Sequence, residues 1–99
     1  MIDEEAILKE RGQRCEKCRR FKKPYELDPH HTFIGRKRGQ DWRDVPMNIL
    51  MLCRPCHDKA HNREFREWAW KIQSARYGSE RLADWYDNVP LRTKERRPG

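Results

Sequence analysis

Four histidines and one asparagine mark the part of the chain that could do chemistry: His30, His31, Asn48, His57 and His61. A helix places residues i and i+4 on one face, so a helix that starts near Pro55 would aim His57 and His61 at one ion. A third ligand can come from His30 or His31, and the remaining histidine can act as a base. The spacing therefore predicts a divalent metal site with a general base beside it.

The four cysteines form two Cys-x-x-Cys pairs, Cys15/Cys18 and Cys53/Cys56. Each pair can present two thiolates to the same ion, so the two pairs together predict a tetrahedral zinc site. The first ten residues, MIDEEAILKE, are acidic and do not resemble a signal peptide, so we expect a reducing, cytoplasmic compartment. Two disulfides or a redox-active pair are the alternatives. Zinc binding by the cysteines would clamp the histidine-bearing segment at both ends.

Composition limits how this chain can be stabilised and what it can bind. Of its 99 residues, 39% are charged and 35% are hydrophobic, so the core is small and a bound metal is expected to contribute to stability. The longest apolar run, at residues 49–53, is too short to cross a membrane. The net charge of +7 favours a polyanionic partner such as nucleic acid, with a solvated basic surface as the alternative.

Local patterns predict the elements that must position these side chains. Residues 3–11 form a helix, with Asp3 as the cap and Gly12 as the stop. An extended segment at residues 25–27 and an apolar strand at residues 47–53 flank a polar loop, and a helix follows near Pro55. Since residues 56–77 contain no glycine or proline, that helix can continue to Tyr77. A second short helix at residues 79–88 can fold back on it.

We therefore predict one α+β domain over residues 1–99. It comprises an N-terminal helix at residues 1–12, a zinc-stapled core at 13–62, C-terminal helices at 63–88 and a basic tail at 89–99. The core has the order strand, loop, strand, helix. An asparagine carbonyl that accepts the N–H of the base would orient its ring, and Asn48 is the candidate for this role.

The order and spacing of these motifs resemble the HNH endonucleases, which have a ββα-metal (His-Me) finger and in many members zinc-binding cysteine pairs. The matching motifs are the Cys15/Cys18 pair, His30-His31, Asn48, Leu52-Cys53-x-x-Cys56-His57 and His61. The resemblance implies that His31 is the general base, oriented by Asn48. It implies that His30 and His57 hold the catalytic ion, and that His61 is the extra ligand of the subset resembling bacterial nuclease colicins. Asp28 is a candidate partner of this site.

Many HNH enzymes have aspartate at the position of His30, and this departure affects which metal ion the site is expected to favour. Three imidazoles favour manganese, nickel, cobalt or zinc, with magnesium as the alternative. Each role also has a competitor. His30 could be the base and His31 a structural residue; Asn48 could cap a turn; His57 could bind at the cysteine site; and His61 could be a surface residue.

The resemblance implies a metal-dependent DNA endonuclease that leaves 5′-phosphate and 3′-hydroxyl ends. One active site per chain predicts that one strand of double-stranded DNA is nicked per binding event, by a monomer or weak homodimer. We also expect low or short-site specificity and a bacterial or phage-infected cell as the setting. The predicted DNA contacts are Arg19, Arg20, Lys22, Lys23, Arg36, Lys37, Arg38 and Arg43. A non-catalytic zinc-stabilised DNA-binding module and a phage accessory nuclease dependent on packaging partners are the alternatives.

Overall fold

The computed structural model describes residues 2–35 and 39–90, so the predicted DNA contacts Arg36, Lys37 and Arg38 and most of the predicted basic tail lie outside the described residues. The chain divides into two compact units, Met1–His61 and Asn62–Gly99. The elements of the first unit are α1 (Glu4–Arg11), β1 (Leu27–His31), β2 (Ile49–Cys53) and α2 (Arg54–Asp58); those of the second are α3 (Arg63–Tyr77) and α4 (Ser79–Asn88). The predicted α+β class and the order strand, loop, strand, helix are confirmed.

The two strands form an antiparallel sheet in which His30 lies opposite Leu50 and His31 opposite Ile49. All five residues of β2 are buried, which explains why this strand is apolar throughout rather than alternating. A short 3-10 turn precedes each strand, at Pro24–Glu26 and Pro46–Asn48. We expected an extended segment at residues 25–27 and a strand at residues 47–53, but β1 runs over Leu27–His31 and β2 begins at Ile49, because proline opens a turn before each strand.

The edge of β2 that faces away from β1 is covered by Glu16. The backbone N–H of Glu16 donates to the Met51 carbonyl at 3.0 Å, and the Met51 N–H donates to the Glu16 carboxylate at 2.6 Å. Since Met51 directs both backbone groups at Glu16, its partner Pro29 in β1 needs no N–H of its own. This arrangement explains how proline is accommodated inside a paired strand.

The helix after β2 differs from our prediction. We expected it to carry both His57 and His61, with a possible continuation to Tyr77, but α2 ends at Asp58, and the C-terminal helices begin with α3 at Arg63 as predicted. The N–H of Ala60 bonds to the His57 carbonyl in a tight i to i+3 pattern, and the Asn62 side chain accepts from the Phe65 N–H at 2.8 Å. Asn62 is thus the N-cap of a separate helix, and His61 lies between the two helices rather than on one.

Within the second unit, α3 and α4 pack against each other. Leu82 and Tyr86 of α4 are buried, as are Phe65 and Ala69 of α3. The rings of Tyr86 and Trp70 meet edge to face at 5.8 Å between centroids. The prediction that the second helix folds back on the first is confirmed. Among the described residues, no helix has the length and apolarity needed to cross a membrane.

In the first unit, α1 is anchored to β2 by a buried ion pair. Asp3 caps the helix by accepting from the Ala6 N–H, as predicted. At the other end, the Arg11 guanidinium donates to the Glu16 carboxylate at 3.0 Å and to the Ile49 carbonyl at 2.6 Å. Only 2% of the Arg11 side chain and 3% of the Glu16 side chain are exposed. Glu16 is thereby fixed against both the helix and the strand.

Replacing Arg11 with methionine is expected to destabilise the first unit by about 3–5 kcal/mol, because it leaves the Glu16 carboxylate buried without its counter-ion. Urea unfolding followed by circular dichroism measures this change. Lys9→Met is the matched control, since it removes an exposed charge from the same helix. Equal free energies of unfolding for the two variants would contradict the anchoring role of Arg11.

Candidate functional site

Each cysteine pair lies in a tight turn that aims both sulfurs the same way. In the first, the Cys15 N–H donates to the Arg20 carbonyl and the Arg19 N–H donates to the Cys15 carbonyl. Arg19 adopts a left-handed φ of 67°, which lets the chain turn back. In the second, Cys53 ends β2 and Cys56 lies in the first turn of α2, where proline is tolerated because the first helical N–H groups have no partner within the helix.

The four cysteine sulfurs converge on one point in the first unit. The Sγ atoms of Cys15, Cys18, Cys53 and Cys56 all lie within 4.8 Å of one another, and those of Cys18 and Cys53 are 3.8 Å apart. Zinc–sulfur bonds of ~2.3 Å give a tetrahedron whose sulfur–sulfur edge is about 3.8 Å. None of the four cysteines forms a disulfide. The cluster therefore fits a metal such as zinc.

The thiol pKa values show why this cluster suits a cation. Burial raises the pKa of Cys15, but backbone hydrogen bonds, with Cys53 first, outweigh it and lower the pKa to about 6. Burial and the neighbouring sulfurs raise the pKa of Cys56 to about 12. One thiolate thus opposes the formation of the next. A divalent ion stabilises all four thiolates at once.

Three of the four histidines form a second cluster. The ring centroid of His30 lies 5.1 Å from that of His57 and 5.7 Å from that of His61, and the His57 and His61 centroids are 6.2 Å apart. An imidazole that ligates zinc through one nitrogen has its centroid about 3.2 Å from the ion, so three such rings in tetrahedral geometry have centroids about 5.2 Å apart. The observed separations of 5.1, 5.7 and 6.2 Å lie close to or above this value, so the three rings are near enough to one another for a three-imidazole site to be proposed.

The surroundings of His30 suit a metal ligand. The residue is 7% exposed, and burial, followed by the charges of His57, His61 and His31, lowers its pKa to about 4. At neutral pH the ring is therefore uncharged and has a lone pair to offer. His61 reaches this cluster from the segment after α2 and His57 from within α2, so the predicted grouping is present although the predicted common helix is not.

Asp28 fixes the orientation of His57. Its carboxylate lies 3.2 Å from the Nδ1 atom of His57 and 3.1 Å from the Arg54 guanidinium. Burial raises the pKa of Asp28, but the hydrogen bonds from His57 and Arg54 outweigh this and keep the pKa below its usual value. A carboxylate bound at Nδ1 leaves Nε2 of His57 as the nitrogen for an ion, an arrangement typical of metal-binding histidines.

His31 is separated from this cluster by the geometry of the strand. Adjacent residues of a strand point to opposite faces, so His30 and His31 cannot both face the same ion. The Nε2 atom of His31 lies 2.7 Å from the Asp44 carboxylate. The sequence predicted only a polar loop between the two strands, and it did not indicate this contact. No local pattern could reveal it, because the two residues are 13 positions apart.

Asn48 has different partners from the one we predicted. Its side-chain carbonyl accepts from the backbone N–H groups of Phe33 and Ile34, at 2.9 and 3.1 Å. Its amide group donates to the carbonyls of Ile34 and Arg43, at 2.8 and 2.9 Å. The fully buried Asn48 side chain is thus committed to backbone groups, and its predicted direct contact with the His31 ring is absent. Asn48 ties together the two ends of the loop between the strands.

The described basic residues divide into two kinds. Arg43 is 8% exposed and donates to the Gly35 carbonyl and the Gln40 side chain, so it holds the loop and differs from the open DNA contact we predicted. By contrast, Arg19, Arg20 and Lys23 are exposed and Lys22 is half-buried, and none of these four side chains forms an ion pair with a described residue. A basic surface beside the first cysteine pair is thus available to a polyanion.

Comparison with protein families matches residues 15–63 to the model described as HNH endonuclease, a span that contains both cysteine pairs and all four histidines. No curated protein and no solved structure matched the chain. The family match supports a nuclease-type function.

Cys15→Ser and Cys53→Ser are each expected to lose the bound zinc and to unfold the first unit, because binding of a structural metal is coupled to folding. Zinc content per chain and thermal unfolding by circular dichroism measure the two effects. His61→Ala is the control, since it removes a histidine side chain outside the cysteine cluster. A serine variant with full zinc content and stability would exclude a four-cysteine site.

His61→Ala and Asp28→Ala are expected to weaken binding of Co²⁺ or Ni²⁺ by the zinc-loaded protein, Asp28→Ala by roughly ten- to a hundred-fold because the orientation of His57 is lost. Titration calorimetry measures the affinity. Arg54→Ala is the matched control, because it removes the exposed second partner of the same carboxylate, and exposed ion pairs contribute little. Wild-type affinity in His61→Ala would rule out the three-histidine site.

Proposed function

We propose that this chain, which belongs to the HNH endonuclease family through residues 15–63, is a metal-dependent DNA endonuclease in which His31 is the general base. The observation that carries the proposal is that the adjacent residues His30 and His31 have different neighbours. His30 joins the three-imidazole cluster, whereas His31 lies against the Asp44 carboxylate. One face of the strand thus offers a metal site and the other a base.

In the proposed reaction, His31 accepts a proton from water while the water oxygen bonds to phosphorus. The bond from phosphorus to the 3′ oxygen breaks, and the departing oxygen takes a proton from solvent water, which gives a 5′-phosphate and a 3′-hydroxyl. A divalent ion held by His30, His57 and His61 would supply Lewis-acid assistance to the phosphate and to the departing oxygen. The base contributes by removing a proton as the new bond forms, an effect worth roughly 10²- to 10⁴-fold.

The ligand types favour a borderline metal. Three imidazoles suit Mn²⁺, Ni²⁺, Co²⁺ or Zn²⁺ better than Mg²⁺, which prefers oxygen ligands and keeps several waters. Asp28 supports this preference, because it is engaged by His57 and Arg54 and so acts as a partner of a ligand. We propose Mn²⁺, Ni²⁺, Co²⁺ or Zn²⁺ as the working ion, with Mg²⁺ as the alternative to be tested.

Double-stranded DNA is the proposed substrate, and the segment that follows the first cysteine pair supports it. Arg19, Arg20 and Lys23 are exposed there, and the aromatic side chains of Phe21 and Tyr25 are 64% and 78% exposed. Cationic groups contact phosphates without reading sequence, and aromatic rings can pack on sugars or bases. We therefore propose contacts dominated by the DNA backbone, and low or short-site specificity. Arg36, Lys37 and Arg38 remain proposed contacts.

One active site per chain leads us to propose nicking. A single base and a single ion act on one phosphodiester at a time, so a monomer or weak homodimer cuts one strand per binding event. We propose that it acts in the cytoplasm of a bacterial or phage-infected cell, in keeping with cysteines that bind metal rather than form disulfides.

Plasmid nicking tests this function directly. Wild-type protein with Mn²⁺, Ni²⁺, Co²⁺, Zn²⁺ or Mg²⁺ is expected to convert supercoiled plasmid to the open circle, and His31→Ala is expected to slow conversion by roughly 10²- to 10⁴-fold. The linear form should appear only later, as nicks accumulate. Agarose gels measure the three forms over time, and zinc-loaded protein with no further metal added is the control for metal dependence.

Two results would overturn the proposal. Supercoiled plasmid that stays intact with every metal, while the protein binds the DNA, would instead identify a non-catalytic DNA-binding module. Normal cleavage by folded His31→Ala would refute His31 as the base and direct attention to His30. Zinc content and circular dichroism of His31→Ala establish that the variant is folded.

A further inference from the structure

We propose that Asp44 is the positioning residue of His31: its carboxylate holds the imidazole as the Nε2–H tautomer and leaves Nδ1 as the atom that accepts the proton. This inference rests on the proposed function, since it names the group that prepares the base for that reaction. It also replaces the predicted role of Asn48, whose side chain is committed to backbone groups.

The contact itself fixes the tautomer. The Oδ1 atom of Asp44 lies 2.7 Å from Nε2 of His31, a distance typical of hydrogen bonds to a charged group. This bond is the main reason that the pKa of Asp44 is lowered, so the group is a carboxylate at neutral pH and can only accept. Nε2 must therefore carry the proton. No described residue forms a hydrogen bond with Nδ1, so that nitrogen has a lone pair for a water proton.

Burial makes this contact worth more than a surface pair. Only 8% of the His31 side chain and 19% of the Asp44 side chain are exposed. Solvent therefore competes weakly for either group, and the ring has little freedom to rotate. The backbone also restrains Asp44: its N–H donates to the Asp41 carbonyl at 2.9 Å, which closes a 3-10 turn.

The Asn48 side chain connects the segments that carry His31 and Asp44. It binds the backbone of Phe33 and Ile34, just after His31, and the carbonyl of Arg43, just before Asp44. One amide thus fixes the distance between the segment that carries the base and the segment that carries the carboxylate. Asn48 acts on His31 through the placement of Asp44 rather than by touching the ring.

The proton balance of the step is simple. Water gives its proton to Nδ1, and the neutral ring becomes an imidazolium with protons on both nitrogens. Asp44 stays ionised and offsets the new positive charge across the Nε2–H bond, as carboxylate partners of catalytic histidines do. The carboxylate therefore both orients the base and stabilises its protonated form.

The steady-state kinetics of nicking, measured on an intact oligonucleotide duplex or a supercoiled plasmid, test the inference. Asp44→Ala is expected to lower kcat by roughly ten- to a hundred-fold, within the range for partners of catalytic groups, with KM for DNA unchanged. Asp44→Asn keeps an acceptor oxygen but lacks the charge, so its loss should be smaller. Asp41→Asn is the matched control, because it removes an acid from the same loop and is expected to keep wild-type kcat.

A double-variant cycle separates positioning from a general effect on structure. If Asp44 acts through His31, Asp44→Ala should cause no further loss in the His31→Ala background. An equal loss in both backgrounds would overturn the inference, as would wild-type kcat in Asp44→Ala. If the wild-type protein cuts no DNA, the proposed function is wrong, but the contact between Asp44 and His31 is not thereby excluded. A second measurement tests that contact.

That measurement is long-range ¹H–¹⁵N NMR of the imidazole nitrogens at neutral pH, in zinc-loaded protein. His31, assigned by its loss in His31→Ala, is expected to show a protonated Nε2 and an unprotonated Nδ1 in the wild type and in Asp41→Asn. In Asp44→Ala, which removes the acceptor, the preference should weaken toward a mixture of tautomers. A His31 ring with Nδ1 protonated in the wild type, or a spectrum unchanged in Asp44→Ala, would overturn the inference without reference to activity.

Discussion

The alternation of side chains along β1 is the constraint on which the rest of the site depends. His30 and His31 are neighbours in sequence, and a paired strand must send them to opposite faces. His30 thereby meets His57 and His61, and His31 meets Asp44. A register slip of one residue would exchange their surroundings, so the pairing of β1 with β2 has to be held firmly. Several polar groups of the first unit stabilise that pairing.

Three contacts hold the register. Glu16 occupies the outer edge of β2 at Met51, and the buried Arg11 guanidinium keeps Glu16 in place. At one end of the sheet, Cys53 closes β2 and shares a cluster with the first cysteine pair. At the other, Asn48 ties together the ends of the long loop. A small chain with few apolar residues thus relies on polar groups and a cysteine cluster that could hold a metal, and these groups specify the register more sharply than apolar packing alone could.

Sequence reasoning predicted what depends on local spacing and missed what depends on contact across a loop. Cys-x-x-Cys pairs, the His30-His31 pair and the Asp3 cap each have a short-range signature, and the structure shows the groupings they indicate. The break between α2 and α3 has no glycine or proline to mark it; instead Asn62 caps α3, and an N-cap competes with helix continuation. Asp44 and Arg43 carry no signature at all, since their partners lie elsewhere in the fold.

Two aspartate–histidine pairs in this site use the same interaction for different ends. Asp28 engages His57 at Nδ1, which leaves Nε2 for a ligand, whereas Asp44 engages His31 at Nε2, which leaves Nδ1. An imidazole has two nitrogens and one proton when neutral, so the carboxylate decides which nitrogen keeps the lone pair. His30 is buried, and burial lowers the pKa of its ring to about 4, so the ring is neutral at neutral pH. In the proposed site, the placement of two acids, more than the identity of the histidines, therefore separates the proposed metal-binding imidazole from the proposed base.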